Sequence, residues 1–316
     1  KKIIIFSRDE LKQYEMQNHR DFRDYSHSKK NIIRYFIGDI RDAERLDIAL
    51  KGQVDFLIHA AALKQVPTAE YNPFEAVKTN VIGSQNVISA SLNNNVKKII
   101  ALSTDKAASP VNLYGATKLT ADKLFIAANN YKGSSNSIFS VVRYGNVLGS
   151  RGSVVPFFLE SKNKGAFLIT DQRMTRFNIT LEEGVNFVIK AFHLMKGAEI
   201  FVPKLSSYNI IDVAKAISSK AKIEYTGIRP GEKIHEQMIS STDSLNTLEF
   251  NNFFIILSDS QYFKTSKNYV FMKKKLKHQI CKEGFEYNSY NNKIFLSILE
   301  IKKLIRDNIT LNRSNN

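Results

Sequence analysis

One sequence feature above all limits the folds open to this chain: short apolar runs alternate with helical segments at close intervals. The runs predict buried strands at 2–6, 32–37, 54–62, 96–102 and 138–144, and the segments between them predict helices at 10–16, 43–50, 69–93 and 114–130. Strands that alternate with helices in this way are typical of βαβ units, whose strands lie parallel in one sheet. The sequence therefore predicts an α/β fold with a doubly wound parallel sheet.

The pattern changes after residue 151. Shorter elements are predicted there, namely helices at 155–164, 181–195, 210–219 and 297–307 and strands at 167–170, 199–202, 222–226 and 253–257. We therefore expect a sheet domain over 1–150, a smaller, mainly substrate-binding lobe over 151–304, and a disordered tail over 305–316. The polar stretch 17–31 is predicted to be an irregular loop or a frayed helix end.

The chain is strongly basic, with a net charge of +16 over 316 residues. Such a surplus of positive charge makes nucleic acid a candidate partner. The basic residues are spread along the chain, however, with one dense cluster at 273–277, and no stacking aromatics recur between them. We predict no nucleic-acid partner, because a basic surface also suits a substrate that carries a diphosphate.

Other classes of protein are excluded by simple counts. No run of about 18 apolar residues is present, so no membrane span is predicted. Cys281 is the single cysteine, which prevents an internal disulfide and fits the reducing cytoplasm, where we place the protein. Neither Cys281 nor the histidines follow a metal-ligand spacing, so no metal is predicted. His59 stands in an apolar run and is interpreted as a packed core residue.

Tyr114 and Lys118 are the first candidates for chemistry, because positions four apart share one face of a helix. An ammonium beside a phenol lowers the pKa of the phenol, which could then take a proton from an alcohol while hydride leaves the same carbon. The spacing is weakly specific in a chain with 13 Tyr, and it recurs at Tyr269 and Lys273, which we interpret as accidental. Tyr114 is favoured because its helix begins soon after a strand that ends in Ser103.

Thr104, Asp105 and Lys106 follow that same strand. In parallel sheets, ligands bind beyond the carboxyl ends of the strands. A hydroxyl, a carboxyl and an amine in succession offer an acid and a base to one substrate. The triplet by itself fits a polar turn with Asp105 as a cap equally well.

Arg8 follows the first predicted strand, with Ser7 before it and Lys12 one turn later. In a dinucleotide-binding sheet, an acidic residue at such a position binds the ribose 2′-hydroxyl, whereas a basic one accepts a 2′-phosphate. We therefore predict NADP as the cofactor. The alternative is an exposed arginine beside Asp9.

A dinucleotide-binding sheet also needs a glycine-rich turn after its first strand, feeding a helix N-terminus that binds pyrophosphate. No such turn precedes Lys1. Gly145, Gly149 and Gly152 follow the fifth predicted strand instead, and we interpret them as a loop that shapes the cofactor and substrate pocket. We expect a sheet whose first βα unit is absent, which puts cofactor binding and activity in question.

Longer stretches carry a resemblance that the short spacings cannot. The chain resembles the inverting UDP-N-acetylglucosamine 4,6-dehydratases (5-epimerising), of the extended short-chain dehydrogenase/reductase superfamily, in SRDELKQYEM, GDIRD, HAAALKQVPTAEYNP, KTNVIGSQNV, LSTDKAASPVNLYGATK, VVRYGNVLGSRGSVVPFF, ITDQRMTRF and IRPGEKIHE. The resemblance extends from Lys1 to about Leu304 and implies a Rossmann-type sheet. The chain departs from that family in the missing glycine-rich loop and in the longer polar stretch at 17–31.

The resemblance implies a role for each candidate. Tyr114, assisted by Lys118, would deprotonate the sugar 4-hydroxyl as C4 hydride passes to NADP, and Thr104 would hydrogen-bond the O4 region. Lys106 would be the base at C5, and Asp105 would protonate the departing 6-hydroxyl before hydride returns to C6. Protonation of C5 from the opposite face would invert it and give UDP-2-acetamido-2,6-dideoxy-β-L-arabino-hexos-4-ulose, the first step of pseudaminic acid biosynthesis for flagellin glycosylation.

The resemblance also implies binding residues and an assembly. The NADP contacts would be Ser7, Arg8, Asp9, Glu10, Leu11, Lys12, Asp39, Ile40, Ala60, Lys64, Leu102, Ser103, Tyr114, Lys118, Val147, Leu148, Gly149, Ser150 and Arg151. The contacts to UDP-N-acetylglucosamine would be Lys64, Asn146, Val154, Thr170 and Glu232. The protein would be a homo-oligomer, a hexamer.

Two other functions stay open on the sequence. A retaining or capsule-type nucleotide-sugar 4,6-dehydratase would make a different keto-sugar, and the C5 configuration of the product separates it from the inverting type. An inactive, N-terminally truncated subunit would only fold or associate, and turnover with added NADP would exclude it.

Overall fold

The structure, a computed structural model, describes residues 2–27, 32–150, 152–162, 166–220, 222–258 and 278–310. Its strands are β1 Ile3–Ser7, β2 Ile33–Ile37, β3 Phe56–His59, β4 Lys98–Thr104, β5 Ile138–Tyr144, β6 Asn146–Val147, β7 Ala166–Ile169, β8 Thr175–Ile179, β9 Glu199–Pro203, β10 Ser206–Asn209, β11 Lys222–Tyr225, β12 Gln237–Ile239, β13 Thr247–Glu249, β14 Phe253–Leu257, β15 Gln279–Ile280 and β16 Tyr287–Asn288. The strands predicted from the apolar runs are all present, within a few residues at each end.

The helices are α1 Glu10–Asn18, α2 Arg23–Ser26, α3 Ala43–Leu50, α4 Val66–Tyr71, α5 Pro73–Val77, α6 Gly83–Asn93, α7 Leu113–Tyr131, α8 Val154–Ser161, α9 Leu181–Leu194, α10 Ile210–Ile217 and α11 Ile298–Ile305. The helix predicted over 69–93 is therefore divided into α4, α5 and α6. Prolines in the first turns of α4 and α5 start new helices there, because proline fits a first turn and breaks an interior one. A π-helical turn, Lys78–Ile82, joins α5 to α6.

The polar stretch 17–31 is more ordered than predicted. Residues 17 and 18 end α1, and the short helix α2 forms at Arg23–Ser26, where the prediction was an irregular loop or a frayed helix end. The Ser26 hydroxyl donates to the Phe22 carbonyl and lies 2.9 Å from the Tyr35 hydroxyl on β2. These contacts fix the stretch against the sheet, which polarity along the sequence does not reveal. Residues 28–31 lie outside the described residues.

The main sheet has the strand order β15-β13-β14-β9-β5-β4-β3. Strands β3, β4, β5 and β9 are parallel, whereas β14, β13 and β15 extend the sheet in antiparallel fashion. The predicted α/β class with a parallel sheet is confirmed. Strands β9 to β15 belong to this sheet although they lie after residue 150, so the division into domains at that residue stays a prediction.

Strands β1 and β2 form a separate parallel pair that is not hydrogen-bonded to the main sheet among the described strands. The pair is nevertheless held to the rest of the fold. Phe6 packs against the main core, and the Asn86 amide on α6 donates to the Ile40 carbonyl at 3.0 Å. A Cβ at Gly83 would overlap the Ile40 side chain, so glycine permits this close approach of α6. The ends of β1 and β2 are thereby fixed relative to α6.

A second group of elements packs beside the main sheet. It contains the three-stranded sheet β10-β8-β6, the pair β11-β7, and the helices α8, α10 and α11 around a core that includes Phe158, Phe167 and Ile301. A capping box of Ser297 and Glu300 starts α11. Residues 306–310, expected to be disordered, form a further helical turn. Residues 311–316, the basic cluster at 273–277 and the Tyr269–Lys273 pair lie outside the described residues.

His59 ends β3 and is buried, as predicted for a packed core residue. Its ring stacks on Phe125 with 5.5 Å between centroids, and its Nε2 lies 3.1 Å from the Ser84 hydroxyl. Burial, with a smaller contribution from the Lys118 charge, lowers the pKa of His59 to about 3. The side chain is therefore neutral in the folded protein at ordinary pH.

No helix in the described ranges combines the length and the apolar content that a membrane span requires.

Candidate active site

Strand β4 places the candidate triplet Thr104, Asp105 and Lys106 at the carboxyl edge of the main sheet. Thr104 is the last residue of β4, and its hydroxyl accepts the Lys106 backbone N–H at 3.3 Å, which starts a 3-10 turn over Asp105–Ala107. Helix α7 then begins close to this turn. A Cβ at Gly115 would overlap the Lys106 carbonyl oxygen, so α7 can lie against the turn only because position 115 is glycine.

An ionic cluster surrounds the Lys106 amine. Its Nζ lies 3.2 Å from Asp105 Oδ1 and 3.0 Å from Glu236 Oε1. Asp105 also accepts the Thr104 hydroxyl at 2.9 Å. The Arg176 Nε lies 3.6 Å from the same Glu236 Oε1. Both carboxylates are almost fully buried, with side-chain exposures of 1% and 3%, so these charges interact with little screening by water.

Burial and neighbouring charge set the ionisation of this cluster. Burial raises the pKa of Asp105, and the Glu236 charge raises it further against the opposing Lys106 charge. For Glu236, the charges of Lys106 and Arg176 outweigh burial, and the net pKa is lowered. The Asp105 and Glu236 charges likewise outweigh the effect of burial on Lys106 and raise its pKa. Lys106 therefore rests as an ammonium, and Asp105 accepts a proton more readily than an ordinary carboxylate.

Tyr114 and Lys118 lie on α7 beside this cluster, and both are buried. The Lys118 Nζ donates to the Leu102 carbonyl at 2.7 Å. Burial raises the pKa of Tyr114 to about 12, while the Lys106 charge and a hydrogen bond with Thr104 act in the opposite direction. The lowered phenol pKa expected from Lys118 is therefore not found. Desolvation dominates, and the cation that favours the phenolate is Lys106.

A buried network supports the catalytic elements from behind. The Ser103 hydroxyl on β4 donates to Asp122 Oδ2 on α7 at 2.7 Å. The Arg143 guanidinium on β5 lies 3.2 Å from the same oxygen and donates to the Met238 carbonyl at 3.0 Å. These bonds join β4, β5 and α7 into one rigid unit, so the catalytic side chains rest on elements that cannot shift independently.

The predicted cofactor residues lie at the carboxyl ends of β1 to β5 or on the turns and helices that follow: Ser7, Arg8, Asp9, Glu10, Leu11, Lys12, Asp39, Ile40, Ala60, Lys64, Leu102, Ser103, Tyr114, Lys118, Val147, Leu148, Gly149 and Ser150. Arg151, the remaining one, is outside the described residues. Asp9 caps α1 by accepting the Lys12 backbone N–H at 3.0 Å. Arg8 is exposed and lies 3.4 Å from Asp39. The outer end of the predicted cofactor site therefore presents cationic side chains.

The predicted substrate residues lie on several elements: Asn146 on β6, Val154 at the start of α8, Thr170 after β7, Lys64 after β3 and Glu232 before β12. Glu232 borders the ionic cluster, because its carboxylate lies 3.8 Å from the Arg176 guanidinium. Two bonds hold the Glu232 segment against the catalytic turn. The Lys233 Nζ donates to the Ala108 carbonyl at 2.6 Å, and the Asn112 amide donates to the Gly231 carbonyl at 2.8 Å.

Sequence reasoning missed Arg176 and Glu236. Both stand in motifs that carried the resemblance, ITDQRMTRF and IRPGEKIHE, but neither motif shows that they meet at Lys106. One signal was available: Arg176 is a charged residue inside β8, whose five residues are all buried. A buried arginine needs a carboxylate partner, and this partner is found only in the fold.

The fold and the site together define a class: a protein with a parallel α/β sheet that carries a buried Tyr/Lys pair and a closely paired carboxylate and amine at the carboxyl edge of the sheet. A family model described as polysaccharide biosynthesis protein matches residues 1–258. The chain belongs to this family.

Two curated relatives cover most of the chain. The UDP-N-acetylglucosamine 4,6-dehydratase (inverting) of Campylobacter jejuni is 53% identical over 96% of this chain and 89% of its own length. The UDP-glucose 4-epimerase of Rickettsia typhi is 41% identical over 96% of this chain and 86% of its own length. The resemblance inferred from the motifs is confirmed by the first relative.

Solved structures agree on the fold. Pen from Bacillus thuringiensis superposes with a TM-score of 0.82 at 37% identity, covering 97% of this chain and 90% of that one. DesIV, a dTDP-glucose 4,6-dehydratase from Streptomyces venezuelae solved with NAD and TYD bound, superposes with a TM-score of 0.63 at 18% identity, covering 74% of this chain and 77% of that one. The second match shows a shared fold only.

Proposed function

We propose that this protein catalyses the NADP-dependent 4,6-dehydration of UDP-N-acetylglucosamine with inversion at C5. The observation that carries the proposal is the contact between the buried Asp105 carboxylate and the partly buried Lys106 amine, beside the buried Tyr114. Oxidation at C4 needs one proton acceptor, whereas loss of water across C5 and C6 needs an acid and a base in addition. The site holds all three groups, and a relative named for this reaction is 53% identical.

The residues present fit a nicotinamide dinucleotide. Ser7, Arg8 and Lys12 would hold the 2′-phosphate end, because Asp9 caps α1 and pairs with Lys12 instead of facing a ribose hydroxyl. Lys118, buried and donating to a backbone oxygen, has the hydrogen-bonding chemistry to hold the nicotinamide ribose. When bound, NADP would accept a hydride from C4 and return it to C6.

The protein's own groups would move the protons. Tyr114 would take the proton of the 4-hydroxyl, helped by Thr104 and by the Lys106 charge. Lys106, which rests as an ammonium, would first pass its proton to Asp105 across the 3.2 Å contact. The free amine would then take the C5 proton, and the Asp105 carboxylic acid would protonate the departing 6-hydroxyl, which leaves as water.

This exchange restores the resting pair without any net proton uptake. Lys106 is again an ammonium and Asp105 again a carboxylate once water has left. A proton from solvent, delivered to C5 from the face opposite Lys106, would complete the inversion. Tyr114 would release to solvent the proton that it took from the 4-hydroxyl, so that the protons balance over the whole reaction. The product would be UDP-2-acetamido-2,6-dideoxy-β-L-arabino-hexos-4-ulose, as the first step of a pseudaminic acid pathway for flagellin glycosylation in the cytoplasm.

The experiment is NMR analysis of the product that the protein makes from UDP-N-acetylglucosamine with added NADP. The L-arabino 4-keto-6-deoxy sugar is expected. A D-configured 4-keto-6-deoxy sugar as sole product would identify a retaining or capsule-type dehydratase instead, and no turnover at all would support an inactive subunit.

The relatives named 4-epimerases favour a second candidate, 4-epimerisation of a UDP-hexose. That reaction needs hydride transfer at C4 alone. It would give no proton-transfer role to Asp105, Lys106 and Glu236. The same NMR experiment decides, because an epimer that retains its 6-hydroxyl would be visible directly.

We also propose that the protein is a homo-oligomer, a hexamer. Support comes from large apolar side chains exposed on α4 and α5, where Tyr71 is 87% and Phe74 is 61% exposed. Light scattering of the purified protein tests the assembly, and a monomer at micromolar concentration would contradict it.

A further inference from the structure

We propose that Glu236 is a positioning residue for Lys106: its carboxylate aims the amine at Asp105 and stabilises the ammonium that forms when Lys106 takes a proton from the substrate. This inference rests on the proposed function for its kinetic consequence. The contact itself does not depend on the substrate.

The first observation is the symmetry of the contacts around Lys106. Its Nζ lies 3.0 Å from Glu236 Oε1, at least as close as the 3.2 Å to Asp105 Oδ1. If Asp105 alone paired with Lys106, protonation of Asp105 would leave the amine without an anionic neighbour. Glu236 remains charged beside it, so an ammonium formed at C5 meets a carboxylate that is already in place.

The second observation is that Glu236 is held rigidly from behind. Its backbone N–H donates to the Ser289 hydroxyl at 2.9 Å, and its carbonyl accepts the Ser289 N–H at 2.8 Å. The next residue begins β12, which pairs with β16. Arg176 Nε lies 3.6 Å from the same oxygen, Glu236 Oε1, that Lys106 contacts. A side chain that must orient another needs such support, because a loose one would not fix the amine.

The third observation concerns oxygens that the protein leaves unpaired. Glu236 Oε2 and Asp105 Oδ2 are both buried and have no hydrogen-bond partner in the described part of the chain. Asp105 Oδ2 faces Gly145, where a Cβ would lie 3.4 Å from it. Buried carboxylate oxygens normally find partners. Asp105 and Glu236 each therefore keep an acceptor oxygen that no group in the described part of the chain satisfies.

Chemical labelling of Lys106 tests the contact without any substrate. At mildly alkaline pH, an amine-acylating reagent is expected to label Lys106 in the Glu236→Gln variant at least about tenfold faster than in the wild type, because loss of the carboxylate charge lowers the amine's pKa. Lys97, which is exposed and paired with Asp55, is the internal reference and should not change. Equal labelling of Lys106 in both proteins would overturn the inference, whatever the reaction is.

Kinetics test the consequence in the holoenzyme with NADP and UDP-N-acetylglucosamine. In Glu236→Gln, the bound cofactor should be reduced within about threefold of the wild-type rate, while solvent deuterium incorporation at C5 and product formation fall at least about tenfold, a fraction of what a general base contributes. A purely structural role would slow both steps together, and that result would contradict the proposal. Glu236→Asp, which keeps the charge on a shorter arm, should recover part of the C5 step.

The matched control is Glu199→Gln. Glu199 is an equally buried glutamate that accepts the Ser140 hydroxyl and two backbone N–H groups away from Lys106. Its variant should melt at a lower temperature but keep the wild-type ratio of the two steps. If Glu236→Gln does not fold, Glu236→Asp carries the test, and equal slowing of both steps there would overturn the proposal. If Lys106 is labelled faster in Glu236→Gln but the wild type makes no product, the proposed function is wrong and the Glu236 contact is still supported.

Discussion

Two charged regions of this protein lie at the carboxyl ends of parallel strands, one after β4 and one after β1, and they differ in how far their charges are buried. Around Lys106 the carboxylates are 1% and 3% exposed, whereas at the outer cofactor end Arg8 is 58% exposed and its partner Asp39 is 21% exposed. Buried charges shift one another's pKa strongly, while exposed pairs are screened and contribute little. The charges around Lys106 are therefore expected to respond to a substitution as one coupled unit, whereas the exposed charges near Arg8 can be exchanged almost independently.

The largest effect is expected from Lys106→Ala. The variant loses the base at C5, so conversion should fall by about 10²- to 10⁴-fold. Reduction of the bound cofactor should persist at a lower rate, because Tyr114 remains but loses the Lys106 charge that favours its phenolate. Product formation and cofactor absorbance, followed in one stopped-flow experiment, check both statements. Lys97→Ala removes an exposed amine and serves as the control. Near-normal turnover of Lys106→Ala would show that Lys106 is not the base at C5.

A backbone change should disturb the same region without altering any charge. Gly115→Ala places a methyl group against the Lys106 carbonyl oxygen, and overpacking of this kind costs about 1–3 kcal/mol. We expect a lower melting temperature together with at least a severalfold loss of turnover. Gly184→Ala on α9 is the control, because its Cβ would make an ordinary contact at 3.8 Å and alanine favours a helix. Equal stability of the two variants would contradict the tight packing of α7 on the catalytic turn.

His59 offers a buried group that is not part of an ion pair. In the folded protein the pKa of His59 is lowered to about 3, below the 6.5 that is ordinary for histidine, so the unfolded chain binds the proton more readily. The stability that this group contributes is full above 6.5 and is lost as the pH falls toward 3. Near pH 5.5 the loss should reach about 1.4 kcal/mol relative to His59→Gln, measured by urea unfolding. The exposed His193→Gln variant is the control, and parallel curves for wild type and His59→Gln would refute the assignment.

The parts of the molecule that sequence could predict are those with a local signal. The apolar run 138–144 and the helical segment 43–50 place β5 and α3 at the observed residues. The Tyr114–Lys118 spacing likewise falls on one helix. Glu236 had no such signal, because its contact with Lys106 joins distant parts of the chain through the packing of β12 on β16. Local rules also missed α2, whose contacts to β2 are tertiary.

The pKa of Tyr114 is a second property that the local sequence could not predict. The spacing to Lys118 was a sound reason to expect a more acidic phenol, but spacing does not say where the ammonium points. In the fold, Lys118 reaches the Leu102 carbonyl, and the burial of Tyr114 sets the sign of the shift. Proximity along a helix is a property of sequence, whereas desolvation is a property of the whole packed site.

The smallest effect is expected at the exposed end, from Arg8→Gln. Losing one cation that would face the 2′-phosphate should weaken NADP binding about tenfold, at most about 1.4 kcal/mol, and leave NAD binding nearly unchanged. Because Arg8 is solvent-exposed, the difference between wild type and variant should shrink as salt rises from 0.05 to about 0.5 M, where the screening length falls below about 5 Å. Calorimetric titration with each cofactor measures this, and Arg20→Gln, another exposed arginine, is the control. A loss for NADP that resisted salt, or an equal loss for NAD, would mean that the outer region is coupled as tightly as the cluster around Lys106.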